Sequence, residues 1–221
     1  MEMNRPIDTP LQELFQKLVL MGRLAQAMIA LSLRGLTESG ATHVDEMEQK
    51  ETDVDRLQVD IDALAVKITA LHQPVGADIR FLFMAPRISE EFERIADHAM
   101  NMDRSMRSAA LAGHPPLVDL RIMGEVAERM LGEVIAALIE RDGAILSKIE
   151  KAEEEINAFR DRILSELTQS MSAGMITVPA ALALIAISRS LERIGDHAIS
   201  VGMEVAYIAS GRDVRHMAAP A

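Results

Sequence analysis

The sequence predicts an all-α fold, a tandem repeat of two three-helix bundles, and three observations carry that prediction. Apolar residues recur at three- and four-residue spacing, as in Leu57, Ile61, Leu64, Ile68 and Leu71 or Ile156, Phe159, Ile163 and Leu167, and no stretch shows sustained alternation. Five clusters of turn residues cut the chain into six long segments. Two sequence markers each occur twice, in the same order.

Taken in chain order, the first segment carries Met21-Gly22-x-x-Ala25-x-x-Met28 and closes at Gly35 to Gly40. The second holds the Leu57 series and stops at the turn Gln73-Pro74-Val75-Gly76. The third, about Ala77 to Ala110, would be roughly 50 Å long at 1.5 Å per residue. Pro86 lies inside it and predicts a kink, because proline lacks an amide hydrogen and its ring crowds the preceding turn. Gly113-His114-Pro115-Pro116 makes the join between halves, giving domains 1–113 and 114–221. The fourth segment repeats the first marker as Met123-Gly124-x-x-Ala127-x-x-Met130, 102 residues on, and ends at Asp142-Gly143. The fifth holds the Ile156 series and ends at Ser172-Ala173-Gly174. The third and sixth segments share the second marker, Glu93-Arg94-Ile95-Ala96-Asp97-His98-Ala99 and Glu192-Arg193-Ile194-Gly195-Asp196-His197-Ala198, 99 residues apart.

Composition bounds the function. With 221 residues, 49% of them apolar, the chain can bury a core without staples. Only 3% are aromatic, so that core is packed from Leu, Ile, Ala and fifteen Met, whose flexible side chains suit closely approaching helices. A net charge of −11 without any Lys/Arg-rich run argues against nucleic acid as a partner. The absence of Cys removes disulfides, thiolate chemistry and zinc fingers together, and is compatible with a reducing cytosol. Met1 to Pro10 has no basic region followed by an apolar run, so no secretory signal is expected. Gln169 to Ser188 is uncharged and long enough to span a bilayer, but Gln169, Ser170, Ser172, Gly174, Thr177 and Pro179 predict a turn followed by a helix start.

The repeated acidic marker is the candidate for chemistry. Residues four apart share a helix face, so Glu93 with Asp97, and Glu192 with Asp196, each set two carboxylates side by side. Their apolar flanks, Phe92 and Ile95, Leu191 and Ile194, put that edge near the core, where unpaired acids are costly. Either Arg94 and Arg193 or a bound cation must offset the repulsion, and the spacing alone leaves both options open. Acids on the second helices favour the cation: Glu51 and Asp55 repeat the spacing, and 102 residues on stand Glu153 and Asn157. Cys-free carboxylate clusters suit Mg, Mn or Fe, with zinc as a further option. His98 and His197 turn about 100° away from the aspartate they follow and are expected to be helix-surface or interhelical hydrogen-bonding residues rather than metal ligands. His43, His72, His114 and His216 lie in or near turns. No Glu has a His three residues later, which argues against a ferritin-like dimetal oxidase, and neither a Gly-x-Ser-x-Gly turn nor a Gly-rich phosphate loop is present. An enzyme is not expected, and a carboxylate-bridged metalloenzyme or a metal-free helical adaptor are the rival readings.

Leu71-His72-Gln73-Pro74 followed by Asp78-Ile79-Arg80, the stretch Phe92 to Asn101, and Leu191 to Ala198 together resemble the PhoU family, and the likeness spans most of the chain. The resemblance implies two three-helix bundles side by side and a cytoplasmic negative regulator of phosphate uptake and phosphate-starvation signalling. It further implies coupling between a phosphate ABC transporter, through its ATPase subunit, and a sensor histidine kinase, with homodimer formation and membrane contact only through partners. It implies multinuclear metal clusters, iron or zinc, on Glu51, Asp55, Glu93 and Asp97 in the first half and on Glu153, Glu192 and Asp196 in the second. Asn157 stands where the first half has Asp55, and Ser200 where it has Asn101, so the second cluster is expected to be weaker, smaller or differently occupied.

Overall fold

A computed structural model of the chain describes residues 5–37, 43–111 and 118–212. Six helices follow one another: α1 Asp8–Thr37, α2 Val44–His72, α3 Ala77–Leu111, α4 Val118–Glu140, α5 Leu146–Ser172 and α6 Val178–Ser210. No strand occurs among the described residues. The Gly113 to Pro116 join with its His114, His216, and residues 38–40 of the Gly35 to Gly40 break lie outside the described residues, and α1 continues through Gly35 to Thr37.

The short turns are chemically determined. α2 ends on Gln73, left-handed at φ 48°, and Gly76 at φ 60° turns the chain into α3. Gly174, at φ 69°, occupies a conformation that a Cβ would disfavour and closes α5. Thr177 then caps α6 by accepting from the Ala180 amide, with Pro179 in the first turn. The uncharged Gln169 to Ser188 stretch is thus the end of one helix, a turn and the start of the next, as its polar residues predict. α3 stays helical across Pro86, whose carbonyl accepts a hydrogen bond from the Ser89 hydroxyl at 2.7 Å.

In each half the three helices pack on one another, and the halves join through α1 against α4 and, most extensively, α3 against α6. α2 and α5 form the outer layers. Both central pairs run antiparallel: Gly22 faces Ile135 while Gly124 faces Leu33, and the Arg87–Glu204 ion pair at 2.9 Å closes one end of the α3–α6 seam. Close approach explains the paired Met-Gly markers, because a Cβ on Gly22 would lie 2.8 Å from the Phe92 ring and one on Gly124 would lie 2.1 Å from Leu33. The marker methionines Met21, Met28, Met123 and Met130 are all fully buried. α1 is by length and composition apolar enough to cross a bilayer, yet its Leu14, Leu18, Met21, Ala25 and Met28 are fully buried against the other helices.

The repeat holds in three dimensions. Buried Val54, Leu57 and Ile61 on α2 correspond to buried Ile156, Phe159 and Ile163 on α5. Buried Ile88, Ser89, Phe92 and Ile95 on α3 correspond to Ile187, Ser188, Leu191 and Ile194 on α6. That register fixes which side chains of the two halves are equivalent.

Candidate metal centre

In the first half the outer helix α2 delivers Glu51 and Asp55 to the edge of α3 that bears Glu93 and Asp97. Phe92 and Ile95, both fully buried, pin that edge of α3. The four acids feel one another across the cleft. Burial, the largest influence, pushes Glu51 up from its ordinary value; Arg104 opposes this, and Asp55 and Asp97 add to it. Glu93 is likewise raised, first by burial and then by Asp97, with Arg94 opposing and Asp55 adding. Arg94 stands 3.6 Å from Glu93 and 3.9 Å from Asp97 with its side chain 52% exposed, a loose and solvated partner.

The second half gathers Glu153, Asn157, Glu192 and Asp196 between α5 and α6. Burial raises Glu153, with Asp196 adding, while a hydrogen bond to Asn157 opposes the shift. Burial also raises Asp196, Glu192 adds, and Arg193, His197 and Arg160 oppose. Here a residue enters that the sequence reading did not single out. Arg160 donates from Nη1 to Asn157 Oδ1 at 3.1 Å and to the Glu192 carboxylate. Its Nε donates to Asp161 at 2.9 Å. The signal was available, since the same 102-residue register places Arg160 opposite Gln58.

The two marker histidines meet. His98 and His197 stack with ring centroids 5.4 Å apart across the α3–α6 seam, and His197 Nδ1 lies 2.6 Å from a Glu91 carboxylate oxygen. Both therefore make interhelical contacts, His197 through a hydrogen bond and the stack, His98 through the stack.

A hard divalent cation fits the first-half donor set, which supplies only carboxylates, two of them raised by their neighbours' charge as well as by burial. Among the described residues, no three His, Asp or Glu side chains are already gathered tightly enough to hold a metal ion. Like charges on facing helix edges repel one another, so gathering them would need a compensating positive charge.

A duplicated helical scaffold with a carboxylate-bearing cleft between the second and third helices of each repeat is the class of protein that fold and site define. The chain belongs to the PhoU family, whose PhoU domain matches residues 18–106 and again 120–205. It is similar to a phosphate-specific transport system accessory protein PhoU homolog of Pseudomonas putida, 26% identical over 216 residues, covering 97% of this chain and 84% of the relative. A homolog of the same description from Clostridium acetobutylicum is 26% identical, covering 96% of this chain and 98% of the relative. The crystal structure of PhoU from Pseudomonas aeruginosa superposes with a TM-score of 0.86 at 24% identity, covering 93% of this chain and 99% of that one. A phosphate transport system regulatory protein PhoU from Streptococcus pneumoniae gives the same TM-score, 0.86, at 20% identity over 94% of this chain and 99% of that one. The predicted fold of six helices in two repeats is the observed one.

Proposed function

We propose that this chain is a cytoplasmic, non-enzymatic accessory regulator of a phosphate-specific transport system that works as a metal-bearing helical scaffold. The family match over both repeats, together with relatives described as transport accessory proteins, supports the phosphate role. On this reading the protein is a homodimer that couples the transporter's ATPase subunit to a sensor histidine kinase, holding the starvation response off when phosphate is plentiful. Helices of 29 to 35 residues supply long faces for such partners.

One observation carries the metal part: Glu51 and Asp55 on α2 and Glu93 and Asp97 on α3 share one electrostatic environment in which Arg104 beside Glu51 and the loosely held Arg94 give only partial compensation. Iron or zinc, with Mg or Mn as alternatives, would supply the missing positive charge and a place for an oxyanion to coordinate. The chain's part is to hold four oxygen donors on two helices whose buried faces fix their spacing.

Elemental analysis of purified protein tests the metal. Stoichiometric metal that disappears in Glu93→Gln with Asp97→Asn is the expected result, and a metal-free wild type that regulates normally would leave the adaptor reading in its place. The phosphate role is tested by deleting the gene in its host: phosphate-starvation genes should then be expressed at high phosphate and silenced again by the wild-type copy. Expression that stays unchanged on deletion rejects that role.

A further inference from the structure

We propose that only the first repeat takes a metal ion, because in the second the guanidinium of Arg160 fills, from within the chain, the role that a divalent cation has in the first. This rests on the metal reading of the first repeat. The two sites are comparable position by position, since Val54, Leu57 and Ile61 and their counterparts Ile156, Phe159 and Ile163 share one buried register. In that register Asp55 becomes Asn157 and Gln58 becomes Arg160. The outer helix thereby gains two unit charges, one from an amide replacing a carboxylate and one from a guanidinium replacing an amide.

Arg160 is not a bystander. Its side chain, 30% exposed, is bonded to Glu192, itself 23% exposed, and to Asn157 at 3.1 Å. It thus engages two of the second repeat's four oxygen-bearing side chains. Glu153 and Asp196 remain, half the carboxylates the first repeat offers. A guanidinium stays protonated at any working pH, so acid–base change does not remove this internal cation. It also presents a planar fork of donors that matches a carboxylate, which a metal would have to displace.

The grooves beside the two sites carry the same divergence. One of about 400 Å³ in the first half includes Gln58, Asp62, Glu90, Glu93 and Arg94 in its wall. Its counterpart of about 420 Å³ has Arg160, Leu164, Arg189, Glu192 and Arg193 at the equivalent positions. At these five positions three acids and one arginine become three arginines and one acid; counting Arg87, which also lines the first groove, the two walls carry formal charges of −1 and +2. An approaching divalent cation is attracted by the first wall and repelled by the second.

The test uses full-length protein stripped with a chelator, loaded with Mn²⁺ and desalted. Metal content, the Mn²⁺ paramagnetic resonance signal and the thermal shift on metal addition are the readouts. Glu93→Gln with Asp97→Asn should lose all bound metal, and Glu192→Gln with Asp196→Asn should keep the wild-type amount. Arg160→Gln with Asn157→Asp copies the first repeat's residues into the second and should roughly double the metal retained, since each repeat then offers four carboxylates. That gain should vanish when Asp196→Asn is added. Helical circular dichroism confirms that each variant folds, and single Arg160→Gln serves should the double variant fail to. Metal that survives in Glu93→Gln with Asp97→Asn but is lost on adding Asp196→Asn overturns the inference. So does an Arg160→Gln, Asn157→Asp protein with no metal in its second repeat. A wild type that binds nothing while this variant binds Mn²⁺ through Asp196 rejects the metal reading of the first repeat and leaves the role of Arg160 standing.

Discussion

Replacing Asp97 by Asn should move the protein's stability in opposite directions without and with metal. Asp97 raises both Glu51 and Glu93, so one isosteric change relieves two repulsions. Two unit charges about 6 Å apart repel by roughly 0.7 kcal/mol in bulk water and by about 2.8 kcal/mol at the effective dielectric of a protein surface. The Asp97 side chain is 45% exposed, so solvent screening holds each repulsion near the lower figure, and Arg94 offsets part of it. The metal-free variant should therefore gain about 0.5–1 kcal/mol, or about 1–4 °C in Tm for a chain of this size. With metal at a hundredfold excess over its Kd, the wild type should gain about 2.7 kcal/mol and melt about 5–11 °C higher. The variant should forfeit that gain. Its melting curve should lie above the wild type's in chelator and below it in Mn²⁺, measured by calorimetry or circular dichroism. A pH series checks the cause independently. Glu51 and Glu93 titrate above their ordinary 4.5 in the folded chain, which then binds more protons than the unfolded one. Metal-free wild type should thus lose stability as pH rises through the window above 4.5, and Asp97→Asn should make that slope shallower while the part due to burial stays. A variant destabilised in chelator, or one that keeps the wild-type metal shift, would refute the reasoning.

Two further changes follow from the seam and the core. Burial, then His197, Arg193 and Arg94, hold His98 below its ordinary value of 6.5 while Asp97 opposes them, so the folded state binds fewer protons than the unfolded state below that pH. In chelator, wild type should lose stability relative to His98→Gln as pH falls from about 7.5 to about 5.5, read from urea melts at each pH. Equal slopes for the two proteins would contradict the assignment. Gly22→Ala would set a Cβ 2.8 Å from the Phe92 ring and 3.2 Å from Ile135, both buried, so neither neighbour has room to yield. Overpacking of about 1–3 kcal/mol should outweigh the roughly 1 kcal/mol helix gain of Ala over Gly, lowering the urea midpoint at unchanged slope. A higher midpoint would show that the α1–α3 contact is looser than these distances require.

The six helices were legible because their information is local and repeated. Apolar spacing runs through every segment, and turns such as Gln73 to Gly76 and Ser172 to Gly174 stand where backbone geometry needs them. What the sequence did not expose is what depends on one helix lying beside another. The stacking of His98 on His197 arises only because α3 and α6 run antiparallel, and no periodicity within either helix encodes that. Hydropathy misdirects in the same way. Gln169 to Ser188 is the uncharged stretch, whereas among the described residues the helix apolar enough to cross a bilayer is α1, whose surface is answered by its neighbours in the bundle. Arg160 was a different kind of omission, for extending the 102-residue register three positions past Asn157 reaches it.

The duplication separates what the fold demands from what the cleft does. Core positions match across the repeats down to the buried serines Ser89 and Ser188, because both copies solve the same packing problem with the same volumes. Cleft positions are free of that constraint. Asp55 and Asn157, Gln58 and Arg160, Glu90 and Arg189 sit on equivalent helix faces, yet they reverse the charge of the space they enclose. A few side chains outside the core can thus change what a repeat binds while its helices keep their places. Two copies of the Glu-Arg-Ile-x-Asp-His-Ala marker therefore do not amount to two copies of a site. The identity of the site lies as much in the facing residues of α2 and α5 as in the marker on α3 and α6.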